Sequence, residues 1–399
     1  MMSTQLIELE LTKNLIKITT VDETEYFITI SFEQKSEKQM EDLDQAYQAA
    51  YKFLCKNDIE IFHERVFGSA SLYETFDAMR QNHVRTYFNK VEIPYTYVGA
   101  PPFWGEGIAG IILHGINAKK KGGTIRDVEF EGQICGRMYE KESDKRLMLS
   151  AIFHNELRDK SYEQIYHTFC KINQILNGNG LNYRDVIRTW IYIPQILDYY
   201  DQFNLGRNRF LEELNIIPTR DSIRDFDFEN IFMPASTGVG CENPYTSGAL
   251  FDVYAISKNF ESEIKVSNET GSKQRSAYRY GSAFSRSLIV HQQACDHLFL
   301  SGTASIDDKG NTIHLDNIDL QIGETFKVIN SLVQEADMNV ADWMEGTVFL
   351  KKSEYAQAYM KNIEENQVLN PPVILCVADI CREDLLFEID GIFAKKKWL

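Results

Sequence analysis

Between Gly323 and Ala336 the apolar residues Phe326, Ile329, Leu332 and Val333 recur three and four apart, which predicts a helix with one buried face. Before it, SRSLIVHQQACDHLFLSGTASID carries two apolar runs rich in β-branched and aromatic residues around a polar turn, the pattern of an antiparallel hairpin. After it, WMEGTVFLK reads as a strand, and SEYAQAYMKNIEEN as a second helix opened by Ser353 as N-cap. The chain then closes on NPPVILCVADICREDLLFEIDGIFAKKKWL. Hairpin, helix, strand, helix, strand predicts an α+β layer, a mixed sheet covered by helices on one face.

The same phrase is written three times. His167–Ile193 aligns on Glu324–Leu350 without a gap at a constant offset of 157 residues. Thr168/Thr325, Phe169/Phe326, Ile172/Ile329, Asn173/Asn330, Asn182/Asn339 and Asp185/Asp342 are identical. Leu43–Phe67 repeats the helix and strand with little identity, and weaker closing phrases end at Ile116 and Ile256. A third of 399 residues is 133, an ordinary size for a small domain. The expected modules are 1–118, 119–262 and 263–399. The polar runs Asn117–Asp127 and Ser257–Ser276 serve as linkers. Three sheets facing one another around a common axis would bury the faces that the helices leave uncovered.

Aligning the closing phrases on their ends puts Glu388, Asp252 and Ile112 in one column. An acid on a buried strand is costly without partners or a task. Only the third copy carries Glu, so the alignment points to one site, in the third module, with Asp252 as the remnant of another.

A hydrophobic fraction of 44%, with no apolar run near 18 residues, describes a globular chain without a helical membrane span. The N-terminus lacks the basic start and apolar block of a secretory signal. Seven cysteines without CxxC spacing suit a reducing cytoplasm, and eight histidines show no metal-ligand spacing. A net charge of −16 argues against nucleic acid as a partner and requires a local arginine cluster for any anionic substrate.

The stretch from Tyr280 to Ala394, with YGSAFSRS, LFLSGTASID, GETFKVINSLVQEADMNVADWMEGTVFL and LLFEIDGIFA, resembles the Rid (YjgF) family of small trimers with sites between subunits. The resemblance implies a trimer fused into one chain. Imine-hydrolysing members carry an arginine where this chain has Ile374, a departure that speaks against imine deamination. From Arg188 onward the chain is closer to the chorismatase branch of that superfamily, through RTWIYIP, FNLGR (Phe203–Arg207), MPASTGVG (Met233–Gly240), the Tyr280–Arg286 run and DICREDLLFEID (Asp379–Asp390). Members that hydrolyse chorismate to a dihydrodiol carry Ala at two positions where members releasing hydroxybenzoate carry Gly and Cys. This chain has Gly302 and Cys381.

The resemblance implies a cytoplasmic enzyme without cofactor or metal, converting chorismate to a hydroxybenzoate, 3-hydroxybenzoate for preference, and pyruvate. Glu388 would be the proton donor, its pKa raised by burial, and Cys381 the second catalytic residue, lining the ring pocket, excluding water or assisting proton movement during aromatisation. Arg286 would clamp a carboxylate beside Tyr280, with Arg382 a weaker choice. Gly302, with its neighbour Thr303, would admit the ring, and Gly240, with Gly238, would offer backbone amides. The alternatives are hydrolysis to the diol, a Rid-type deaminase, and a binder of small carboxylates without turnover. The YYDQF run (Tyr199–Phe203) and the Trp104 region read as packing, and His291 and His297 as solvated. A fused trimer completes its own sites, so a monomer is expected, with exposed sheet edges the route to any further assembly.

Overall fold

The apolar stripes of the predicted helices find their sheets in three successive layers. The computed structural model describes residues 5–11, 14–32, 34–142, 144–154, 161–219, 232–246, 248–257, 265–269, 283–365 and 371–397. The first layer contains β1 (Gln5–Leu11), β2 (Asn14–Thr20), β3 (Glu25–Ser31), β4 (Glu60–Gly68), β5 (Thr96–Gly99) and β6 (Ile108–Ile116), with α1 (Gln39–Lys56) and α2 (Tyr73–Phe88). Its strand order is β1-β2-β3-β6-β4-β5. After the short α3 (Ala118–Lys121), the second layer contains β7 (Thr124–Phe130), β8 (Gln133–Lys141), β9 (Asp144–Ile152), β10 (Val186–Tyr192), β11 (Ala235–Gly240) and β12 (Leu250–Ile256), with α4 (Ser161–Gly178) and α5 (Ile196–Glu213).

The third layer contains β13 (Lys265–Glu269), β14 (Ser287–His291), β15 (Cys295–Ala304), β16 (Trp343–Leu350), β17 (Val373–Val377) and β19 (Phe387–Lys396), with α6 (Ile318–Glu335) and α7 (Ala356–Glu365). One piece of this module defects. The two-residue β18 (Asp379–Ile380) pairs antiparallel with β11 of the second sheet, through Val239 and Gly240. That crossover ties the last loop of the chain to its neighbour. The run read as a second linker contributes β13, an edge strand paired with β14. Ser353 opens a 3₁₀ turn rather than capping α7. Asn317 caps α6, its side chain accepting from the Leu320 amide.

The repeat has a local cause. Asn182 with Asp185, and Asn339 with Asp342, form identical capping boxes on the turns that feed β10 and β16. Each helix–sheet layer has its own apolar core, and a further core lies between the three sheets, built from residues of all of them. At its centre the Phe67 ring lies 6.4 Å from those of both Tyr192 and Phe349. Buried ion pairs cross the same space. Arg65 of the first module reaches Glu345 of the third at 2.8 Å, and Arg188 of the second reaches Asp390 of the third at 2.8 Å. Both guanidinium groups lie over the Trp190 ring. A buried pair broken by misdocking would leave an uncompensated charge, so these pairs penalise any other arrangement of the modules.

Strand register corrects the sequence column. Anchored on the capping boxes, β10 superposes on β16 at the same offset of 157 residues, so Tyr192 matches Phe349. Tyr192 pairs with Leu250, whereas Phe349 pairs with Glu388. The counterpart of Glu388 is therefore Leu250, and Asp252 matches Asp390. Both β9 and β15 bulge opposite that aspartate. Aligning the phrases on their ends is two residues out because an even slip preserves the alternation of faces.

Candidate active site

Glu388 is the second residue of β19, between Ala304 of β15 and Phe349 of β16. It is 5% exposed. Asp390, two residues on and facing the same side, is fully engaged: it accepts from Arg188, from the Thr237 hydroxyl at 2.7 Å and from the Thr347 amide at 3.1 Å. Among the described residues, no hydrogen bond or ion pair reaches the Glu388 carboxyl. Burial, then the Asp390 charge, pushes its pKa up to about 8, against the weaker pull of Arg188 and Arg286. Near neutral pH it is a carboxylic acid holding a proton. It borders a cavity between the second and third modules with about 580 Å³ of empty space, open mouth included.

Gly302 explains how the carboxyl fits. A Cβ there would overlap Glu388 Oε1 and stand 2.9 Å from Cδ. The missing side chain makes room for the acid itself, where the sequence suggested room for a substrate ring. Ala304 lines the cavity beside it, whereas Thr303, between them on the strand, turns away and donates to the Ser301 carbonyl at 2.9 Å.

Cys381 follows β18 at the edge of the cavity. Burial, then the Glu388 charge, pushes its thiol up to about 12, so the sulfur is neutral and its part is to shape the wall. Its side chain is hydrogen-bonded to Tyr200. Arg382 lines the cavity while donating to the Gly310 carbonyl. Arg286, just ahead of β14, is 3% exposed and reaches the cavity; burial, then the nearby Arg382, pulls its pKa down to about 10. The guanidinium remains charged. Tyr280 lies outside the described residues.

The second module supplies the opposite wall, and here the sequence reading was incomplete. Arg207 of α5 is 6% exposed; its Nη2 donates to Asn204 at 2.7 Å, while its buried Nε has no hydrogen-bond partner among the described residues. Burial lowers its pKa. Phe203 and Tyr200, read as packing, line the cavity one and two turns earlier on the same helix face, and the Arg207 guanidinium lies over the Phe203 ring. The signal was an arginine four residues after Phe203 on an otherwise apolar face. Of the TGVG glycines, Gly238 lines the cavity; Gly240 does not, because it lets β18 approach, a Cβ there meeting Asp379.

The remaining readings resolve simply. Asp252 is sealed, accepting from Thr96 at 2.5 Å, His63 at 3.1 Å and the Ala151 amide at 2.9 Å. Ile374 is fully buried in the core shared by the sheets. Trp104 packs on the first module's core. His297, expected in solvent, is 2% exposed, and burial pulls its pKa down to about 4; His291 is half-buried and 3.0 Å from Asp296. Among the described residues no group of three or more His, Cys, Asp or Glu is arranged to hold a metal, and no helix is long and apolar enough to cross a membrane.

The chain matches no family model. It is 25% identical over 236 residues to a chorismatase from Streptomyces rapamycinicus, covering 54% of this chain and 65% of that protein. It is 24% identical over 238 residues to a 3-hydroxybenzoate synthase from Streptomyces hygroscopicus, covering 53% and 64%. The chain thus spans just under two thirds of these curated relatives' length. A chorismatase crystal structure superposes with a TM-score of 0.58 at 17% identity, covering 84% of this chain and 92% of that one. The chain is thus similar in sequence to a chorismatase and a 3-hydroxybenzoate synthase, and it shares the fold of the chorismatase structure.

Proposed function

We propose that the chain converts chorismate to a hydroxybenzoate, 3-hydroxybenzoate for preference, and pyruvate. The observation that carries the reading is the buried, protonated Glu388 carboxyl on a cavity also lined by Arg207 and Arg286. Chorismate is a dianion, and two guanidinium groups from different modules match two carboxylates. The Glu388 proton goes to the terminal methylene of the enol ether, making an oxocarbenium whose C–O cleavage releases pyruvate. For the 3-isomer, the neighbouring C4 hydroxyl oxygen closes on C3 as the ring C3–O bond breaks; opening of that epoxide at C4 and loss of the C3 proton aromatise the ring, and of the protons released one stays on the phenol and one returns to the Glu388 carboxylate. Hydroxybenzoate and pyruvate together contain the atoms of chorismate, so this route consumes no water. Hydrolysis to the diol consumes one, and the neutral Cys381 and the aromatic wall of Tyr200 and Phe203 favour the dry route.

The test is to incubate the purified protein with chorismate and follow pyruvate together with aromatic absorbance. Pyruvate with stoichiometric hydroxybenzoate is the expected result. Pyruvate with a non-aromatic diene would replace the reading by hydrolysis, and no pyruvate at all would leave a carboxylate binder.

A further inference from the structure

A second cavity lies between the first and second modules, in the place that corresponds to the candidate active site. Its walls come from matching elements: α2 stands where α5 does, and β9 where β15 does, with about 1430 Å³ of empty space including the mouth. The chemistry has inverted. Leu250 stands at the Glu388 position, so there is no acid to protonate a substrate. In place of an arginine pair, the cavity is lined by the carboxylates Asp77, Glu92 and Glu131 against one ammonium, Lys171. Tyr73, Tyr95, Tyr245, Phe130 and Phe153 provide an aromatic wall.

We propose that this cavity binds a small primary ammonium ion carried on an apolar stem. Asp77 and Gln81 stand one turn apart on α2, on the same face, and both line the cavity. The Gln81 Oε1 atom is buried without a hydrogen-bond partner among the described residues, an arrangement that costs free energy until a donor arrives. Asp77 already accepts from the Tyr95 hydroxyl at 2.8 Å, which fixes its carboxylate at the cavity wall. An ammonium has donors for both oxygens, and the aromatic rings attract its charge. The fold already seats one such group there: the Lys171 ammonium lies 5.7 Å from the Phe130 ring centre and donates to the Phe153 carbonyl. An anion the size of chorismate would meet three carboxylates, so the two cavities select opposite charges. At the remaining junction, between the third and first modules, Ile374 packs against Gly110.

The experiment is calorimetric titration of the full chain with 2-phenylethylammonium at neutral pH, with phenylacetate as the charge-reversed control. Saturable binding of the amine is expected, weakened at least about tenfold by Gln81→Leu and by Asp77→Asn, and unchanged by Glu388→Gln. Glu92→Gln, a substitution nearer the surface, gives a smaller loss and guards against a folding defect in the other two variants. Amine affinity that is absent at millimolar concentration, or equal in all these variants, would overturn the proposal. Neither outcome bears on the chorismate reaction, which depends on the other cavity.

Discussion

Replacing Gly302 by Ala tests the site at its tightest point. The added methyl would overlap Glu388 Oε1 and stand 2.9 Å from Cδ, where ordinary contact begins at 3.4 Å and extends to 4 Å. The carboxyl is the far end of a flexible side chain, so it yields rather than the strand, its Oε1 moving by about 1–1.5 Å. Misplacing a reacting group by about 1 Å costs on the order of 100-fold in rate, or about 2.7 kcal/mol of transition-state stabilisation. Pyruvate release should therefore fall by about 10- to 100-fold in Gly302→Ala, with a larger share of diol among the products as the displaced acid admits water. A double-mutant cycle isolates the cause. Glu388→Asp withdraws the carboxyl from Gly302, so adding Gly302→Ala to it should cost little more. The assay follows pyruvate by a coupled dehydrogenase and the aromatic product by absorbance. Rates and product ratio within twofold of the parent in Gly302→Ala would refute the contact argument, as would fully multiplicative losses in the double variant.

Glu388→Gln should abolish pyruvate release while retaining fold and ligand affinity, and it should raise stability at alkaline pH. The folded pKa of about 8 exceeds the unfolded carboxyl value, so the native state binds the extra proton and the parent loses stability as pH rises from about 4.5 to 8. The variant lacks that slope and should gain about 3–5 kcal/mol over the parent above pH 8, with no gain below pH 4; urea titration at both pH values checks this. For the same reason kcat/KM of the parent should be flat in the acid range and fall as pH rises through about 8. Arg207→Met should raise KM about 10- to 100-fold, the cost of one charge-assisted pairing, and unchanged saturation kinetics would remove Arg207 from substrate binding. Asp252→Asn should lower stability by about 2 kcal/mol through the Thr96 and His63 contacts, yet leave the rate within twofold. A lost reaction with intact folding would restore that residue as a chemical group.

The sequence by itself determined what repeats locally. Helical spacing of apolar residues, strand alternation and the Asn–Asp capping boxes act over a few neighbouring residues, so the three-layer plan and Glu388 as a buried acid on the last strand were legible from the chain. The register of Glu388 was not, because a two-residue slip leaves every side chain on its own face and only the ladder partners, Leu250 against Glu388, separate the alternatives. Nor was the far wall of the site. Arg207, Tyr200 and Phe203 lie some 180 residues before Glu388 in the chain and meet it only when the second and third sheets dock and β18 crosses between them. Tertiary structure also decided which polar residues were spent on assembly: Asp252 and Asp390 are bound by groups from neighbouring modules, while Glu388 remains without a bond among the described residues. Periodicity records which face of an element is buried; what lies opposite that face, and so whether an acid is paired or keeps its proton, is set by contacts between modules.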